Sequence, residues 1–211
     1  MEIKKLLNSK IINEWINKKY LNLNKLGELK KIFLHSNPFS YLELKNFFND
    51  YKLIKILKAL SKEEFHEREA DLFKFMQTED FKLIKNKTLN DFRKFLLSDE
   101  FISLIKFITE FKLINKIDMS GSLYQNTDYL LCHDDLLEGR KVAYFLYLSS
   151  MGDNEGGNLN LFDSEMKVND KITPKFNTFA FFEVSSKSLH ELEEVVVDKQ
   201  RIAISGWFYD K

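Results

Sequence analysis

The stretch TDYLLCHDDLLEGRKVAYFLYL, residues 127–148, decides how this chain folds. Its second half, Arg140 to Leu148, is an aromatic and β-branched run behind a glycine, the composition of a strand. Three runs of the same kind follow: Asn158 to Phe162, Thr178 to Val184 and Arg201 to Phe208. Gly152, Gly156 and Gly157, with Asp153 and Asn154 among them, mark a turn between the first two runs. Many short strands separated by turns predict a double-stranded β-helix, or jelly roll.

Upstream the period changes. From residue 1 to about residue 112, apolar side chains recur at three and four, as in Leu6, Leu7, Ile11, Ile12 and Trp15, and again in Phe101, Leu104, Ile105 and Ile108. This half reads as mostly helix, packed on the outside of the barrel, which makes the fold class α+β. Ser61 followed by Glu64 has capping-box spacing and predicts a helix from about residue 62. The Asn37-Pro38 break divides a helical extension, 1–37, from a main domain, 38–211.

In the decisive stretch His133 and Asp135 lie two apart, so on a strand both would face the same side, with Asp134 opposite. His190 offers a third ligand if folding brings it alongside. Two imidazoles and one carboxylate on one side of a metal suit Fe(II) and leave its other positions open. The pair alone also fits a strand edge running into a turn, and His190 also fits a surface position in SSKSLHELEE. Arg201 opens a strand, where a buried guanidinium needs a carboxylate partner. Its fork matches a carboxylate of 2-oxoglutarate, with the Tyr147 hydroxyl as second donor if that residue faces inward. A structural ion pair is the alternative for Arg201, and core packing for Tyr147. His35 and His66 lie in helical stretches, and His66 reads as solvent-facing or structural. Cys132 reads as a small buried hydrophobe on the opposite strand face.

Composition narrows the setting. Lys plus Arg and Asp plus Glu each total 32, so no net field draws the chain to nucleic acid or an acidic membrane. The start, MEIKKLLNSK, lacks a secretory cleavage site, no apolar run is long enough to span a bilayer, and a single cysteine excludes an internal disulfide. The expectation is a cytoplasmic or nuclear protein without direct nucleic-acid or membrane binding.

Taken with EGGNLNLFD (155–163), NTFAFFEVSSKSLHELEEV (177–195) and RIAISGWF (201–208), the stretch resembles the 2-oxoglutarate oxygenases that hydroxylate a proline of a small-subunit ribosomal protein. The family includes the yeast termination-and-polyadenylation protein and its animal counterparts. The likeness extends upstream through EEFHEREADLFKFMQTEDF (63–81) and LLSDEF (96–101), covering roughly residues 38 to 209. It implies that His133, Asp135 and His190 are catalytic iron ligands and that Tyr147 and Arg201 hold the far carboxylate of 2-oxoglutarate. It also implies a reaction using Fe(II), 2-oxoglutarate and O2, with ascorbate as a reductant, in which 2-oxoglutarate becomes succinate and a prolyl carbon, C3, is hydroxylated. The implied partner is a small-subunit ribosomal protein. Other substrates, protein or small molecule, and an inactive barrel serving as a binding module on ribosomes or messenger RNA complexes, are the competing expectations. Many relatives carry Ser where this chain has Ala203, with Ser205 on the same strand face as a substitute hydroxyl. The relatives also continue into a second, catalytically silent barrel beyond the point matched by Lys211.

Overall fold

Alternation along the strands settles the layering. The computed structural model describes residues 3–211 and, among them, eleven strands: β1 (Tyr41–Lys45), β2 (His66–Ala70), β3 (Phe73–Gln77), β4 (Ser120–Tyr124), β5 (Tyr129–His133), β6 (Arg140–Tyr147), β7 (Leu159–Phe162), β8 (Val168–Ile172), β9 (Thr178–Glu183), β10 (His190–Leu192) and β11 (Arg201–Tyr209). They form one antiparallel path, β1-β9-β6-β11-β4-β3-β5-β10-β7-β8, with β2 attached to β3. The helices are α1 (Ile3–Leu7), α2 (Lys10–Trp15), α3 (Leu23–His35), α4 (Asp50–Leu60), α5 (Lys87–Leu96) and α6 (Asp99–Thr109).

Strand β6 is buried on both faces, and its two faces join different cores. Val142, Tyr144 and Leu146 pack with Phe33, Phe48 and Phe101 from the helical side. Ala143, Phe145 and Tyr147 pack with Leu159, Leu161 and Leu192 of the facing sheet. Helices therefore cover the outside of the larger sheet, and the smaller sheet folds over its inside, as a jelly roll requires. Phe48 ties the helices to the barrel, with ring centroids 5.5 Å from Phe92, 6.3 Å from Phe101 and 5.4 Å from Phe179. The two ends of the strand path, β1 and β8, meet through side chains: Asn37 Nδ2 donates to Asn169 Oδ1 at 3.1 Å, and the Tyr41 hydroxyl donates to Asp170.

Three expectations are corrected. Ser61 does not start a helix: its backbone N–H donates to Leu57 O, so it ends α4. The chain after it enters the β2–β3 hairpin because Lys62, Glu63 and Glu64 supply no apolar stripe to bury. The helix starts use other residues, with the side chains of Asn22, Asn49, Asn86 and Ser98 accepting from Lys25, Lys52, Thr88 and Phe101 N–H. The first 112 residues also contain β1, β2 and β3, where Leu42 and Leu44 alternate inward and HEREA forms a charged outer strand. His66 thus stands on a strand rather than a helix, while His35 ends α3 as expected. Among the described residues no helix is long and apolar enough to cross a membrane.

Candidate active site

His133 ends β5, and His190 opens β10 directly across the ladder from it. Between this pair and the next, Leu192 with Leu130, β5 spends three residues where β10 spends two. That bulge turns both Leu130 and His133 toward the barrel interior, which strict alternation forbids. Both imidazoles are held alike: His133 Nδ1 lies 2.8 Å from Leu131 O, and His190 Nδ1 lies 2.8 Å from Ser188 O. A proton on each Nδ1 leaves each Nε2 lone pair free.

Those two Nε2 atoms converge on one carboxylate, each 3.5 Å from an Asp135 oxygen, and the donor atoms of the three residues lie within 4.8 Å of one another. The sequence placed Asp135 on the same strand face as His133, but the strand stops at His133. Asp135 reaches the site from a left-handed turn, φ +59°, a conformation Asp tolerates better than most residues. Burial opposes its charge, but the contacts with His133 and His190 outweigh burial and hold the carboxyl well below the usual range. For His133 burial works against protonation, and Asp135 more than offsets it. His190 Nε2 is buried without a hydrogen-bond partner, and with His133 Nε2 and the Asp135 carboxylate it makes up two ring nitrogens and a carboxylate, the donor set that Fe(II) takes. Cys132, in the bulge, is half-buried rather than buried, and burial raises its thiol pKa.

A second group of side chains stands in the same interior. Arg201 is fully buried; its Nε donates to Gly157 O at 2.8 Å, while Nη1 and Nη2 have no partner, which excludes the structural ion pair. The Tyr147 hydroxyl is equally buried and unpartnered, and its ring centroid lies 5.1 Å from the Arg201 guanidinium carbon. Burial raises the Tyr147 pKa against the opposing charge of Arg201, so the phenol keeps its proton and can donate it. Buried donors without acceptors are uncommon in native proteins, and a carboxylate is the acceptor this set fits. Gly157, at φ +72°, is required here: a Cβ on it would meet Arg201 Cδ at 3.0 Å.

The histidines and Asp135 border a cavity of about 80 Å³ that is also lined by Tyr124, Gln77, Ser205 and Trp207. Ser205 lies opposite Phe145, whereas Ala203 lies opposite Tyr147, so the Ser205 hydroxyl sits one row away from the position Ala203 leaves bare. Tyr124 is paired with Arg201 across β4 and β11. Arg140 lies with its guanidinium carbon 3.4 Å above the Trp207 ring and its Nη1 4.0 Å from Asp135 Oδ1. Sequence reasoning singled out neither Tyr124, Trp207 nor Arg140 as site residues. The alternation Arg201, Ala203, Ser205, Trp207 was the available signal for Trp207. For Arg140, no local pattern predicts a side chain folding back on a turn.

A jelly roll carrying two histidines and an aspartate beside a buried, half-satisfied arginine is the architecture of a mononuclear non-haem iron oxygenase. Solved structures share the fold: a Pseudomonas putida prolyl-4-hydroxylase superposes with TM-score 0.72 over 88% of this chain and 99% of that one at 14% identity. A Trichoplax adhaerens prolyl hydroxylase, solved with a hypoxia inducible factor peptide fragment, superposes with TM-score 0.69 over 89% and 91% at 20% identity. Residues 119–209 match the 2OG-Fe(II) oxygenase superfamily and form a domain of that kind, whose name carries the iron and the cosubstrate that this site fits. It is 38% identical over 186 residues to the Mus musculus protein named Prolyl 3-hydroxylase OGFOD1, an alignment that takes in 84% of this chain and 34% of the mouse protein. This chain thus spans about a third of the length of the curated relatives it matches.

Proposed function

We propose that this chain is an Fe(II)- and 2-oxoglutarate-dependent prolyl hydroxylase that acts at C3 of a proline in a small-subunit ribosomal protein. His133, Asp135 and His190 hold the iron, and Arg201 and Tyr147 hold the far carboxylate of 2-oxoglutarate. The observation that carries the cosubstrate assignment is the buried Arg201, whose two outer nitrogens have no partner beside the unpartnered Tyr147 hydroxyl. The identity to the mouse prolyl 3-hydroxylase supports the choice of residue and carbon.

When bound, the iron supplies the oxygen-dependent redox chemistry that couples decarboxylation of 2-oxoglutarate to hydroxylation. The protein does the placing. Leu131 O and Ser188 O fix the tautomer and plane of the two imidazoles, so both Nε2 atoms point at the same place. Arg201 and Tyr147 anchor one end of the cosubstrate, which sets the position of its 2-oxo acid end. The aromatic walls of Tyr124, Phe145 and Trp207 exclude water from the reacting centre.

The test is to incubate the protein with Fe(II), 2-oxoglutarate and a proline-containing peptide from the small-subunit ribosomal protein, beside the same peptide with alanine for that proline. One added oxygen on the proline, at C3 by NMR, with matching succinate, is the expected result. Succinate formation with neither peptide nor intact ribosomal protein hydroxylated overturns the substrate assignment. Absence of iron-dependent succinate under all conditions overturns the enzyme assignment.

A further inference from the structure

Three residues stand in one register across the larger sheet: Ala203 on β11 pairs with Tyr147 on β6, and Tyr147 pairs with Thr178 on β9. All three face the barrel interior, because Thr178 shares its strand face with Ala180 and Phe182, which pack in the interior core beside Tyr147 and Ala203. Ala203 brings no polar atom to this row. Thr178 does: it is 1% exposed, and its Oγ1 is buried without a hydrogen-bond partner. A threonine hydroxyl can usually rotate to reach a nearby backbone carbonyl, so an orphan one in a core has a cost that apolar Val would avoid.

Along this row and beside it, the buried polar atoms without partners include Arg201 Nη1 and Nη2, Tyr147 Oη and Thr178 Oγ1. A carboxylate has two oxygens and about four lone-pair sites. Two guanidinium N–H groups, one phenol and one aliphatic hydroxyl saturate it. We infer that Thr178 is a further cosubstrate-positioning residue, donating its hydroxyl to the far carboxylate of the 2-oxo diacid on the side of Tyr147 opposite Ala203. This rests on the assignment of Arg201 and Tyr147 to that carboxylate. It adds a selectivity: the donors serve only a ligand with a second carboxylate, so a 2-oxo monoacid gains nothing from Thr178.

The test measures binding without turnover. Protein loaded with Mn(II) is titrated with 2-oxoglutarate and, separately, with 2-oxobutyrate by calorimetry, for the parent, Thr178→Val and Thr178→Ser, and the KM for 2-oxoglutarate and kcat are measured on the Fe(II) enzyme. Thr178→Val keeps the shape and removes the donor. It should weaken 2-oxoglutarate roughly 5- to 10-fold and raise its KM by the same factor, with kcat at saturation and 2-oxobutyrate affinity unchanged. Thr178→Ser should stay within about twofold of the parent. A Val variant that binds 2-oxoglutarate like the parent, or one that loses both ligands equally, overturns the inference, because Thr178 then only packs. If Thr178→Val does not fold, Thr178→Ala takes its place with the same criteria. A parent protein that does not bind 2-oxoglutarate overturns the underlying cosubstrate assignment as well. A parent that binds it beside a Val variant that binds it equally removes Thr178 alone.

Discussion

Arg140 lies over the ring of Trp207 and brings one nitrogen to 4.0 Å from Asp135 Oδ1, the oxygen that His133 also faces. The guanidinium is thus clamped between an aromatic wall of the cavity and the one anionic member of the His-Asp-His cluster. Charge at that place steadies the Asp135 carboxylate through the oxygen that His133 also approaches. Arg140→Leu should therefore weaken metal binding about 10-fold, the lower end of losses of outer contacts to metal sites. Titration with Mn(II) followed by electron paramagnetic resonance checks this; unchanged affinity would show that Arg140 serves only to cover Trp207.

Removing a ligand is more drastic. His133→Ala and Asp135→Ala should abolish iron-dependent succinate formation while the far-ultraviolet circular dichroism stays that of the parent. Both side chains border a cavity, so their loss removes few packing contacts. Thermal melts of the metal-free proteins provide the control, and undiminished turnover in both variants would rule out the site.

Arg201→Met keeps a long apolar stem and deletes the charge. A charged hydrogen-bonded contact is worth about 1.5–3 kcal/mol, so 2-oxoglutarate binding should weaken roughly 10- to 150-fold. Metal affinity should not change. Without cosubstrate the variant should melt no lower than the parent, since it no longer buries a charge with two unsatisfied nitrogens.

Gly156, at φ +73°, lies so close to the next segment that a Cβ would meet Glu194 O at 1.8 Å. Gly156→Ala should cost about 1–3 kcal/mol from backbone strain alone, and more from the displaced segment. Because the neighbouring Gly157 O holds Arg201 Nε, the same change should also raise the KM for 2-oxoglutarate. Urea denaturation and cosubstrate titration measure the two effects separately.

Phe48 is the aromatic link between α5, α6 and β9. Phe48→Ala should destabilise the fold by about 3–5 kcal/mol. Calorimetric unfolding is the check, and a loss under 1 kcal/mol would show that the helices dock independently of it.

Legibility in the sequence followed the source of each constraint. Strands buried on both faces announced themselves, because β6, β9 and β11 need apolar or aromatic residues on two sides and so stand out as continuous runs. The short strand β10 did not, since three residues with a glutamate in the middle have no period to read, although it carries His190. The β2 strand, HEREA, was invisible for the opposite reason: its only ladder is to β3 and most of its side chains face solvent. Ser61 misled because capping-box spacing occurs without a following apolar face. At the site the residue types were readable and the geometry was not. The bulge at Leu131 and Cys132 and the left-handed turn at Asp135 depend on pairing with β10 and on the loop beyond, neither of which local alternation encodes. Thr178 reads from sequence only as the first residue of a strand run, for its unsatisfied hydroxyl exists only once β9 lies beside β6.

The join between β1 and β8 gives the barrel a clasp instead of a weld. Around the rest of the wall neighbouring strands share backbone ladders, so parting them means breaking several main-chain bonds at once. Where Asn37 meets Asn169 and Tyr41 meets Asp170, separation loses side-chain bonds alone, and these residues are at least partly exposed. The wall should therefore breathe along one line, with deuterium entering the outward amides of β1 and β8 long before those of β6 and β11. That line runs beside strands that contribute neither a histidine to the cluster nor a donor to the group around Arg201, so the wall can flex there while the parts that must hold still for chemistry remain rigid.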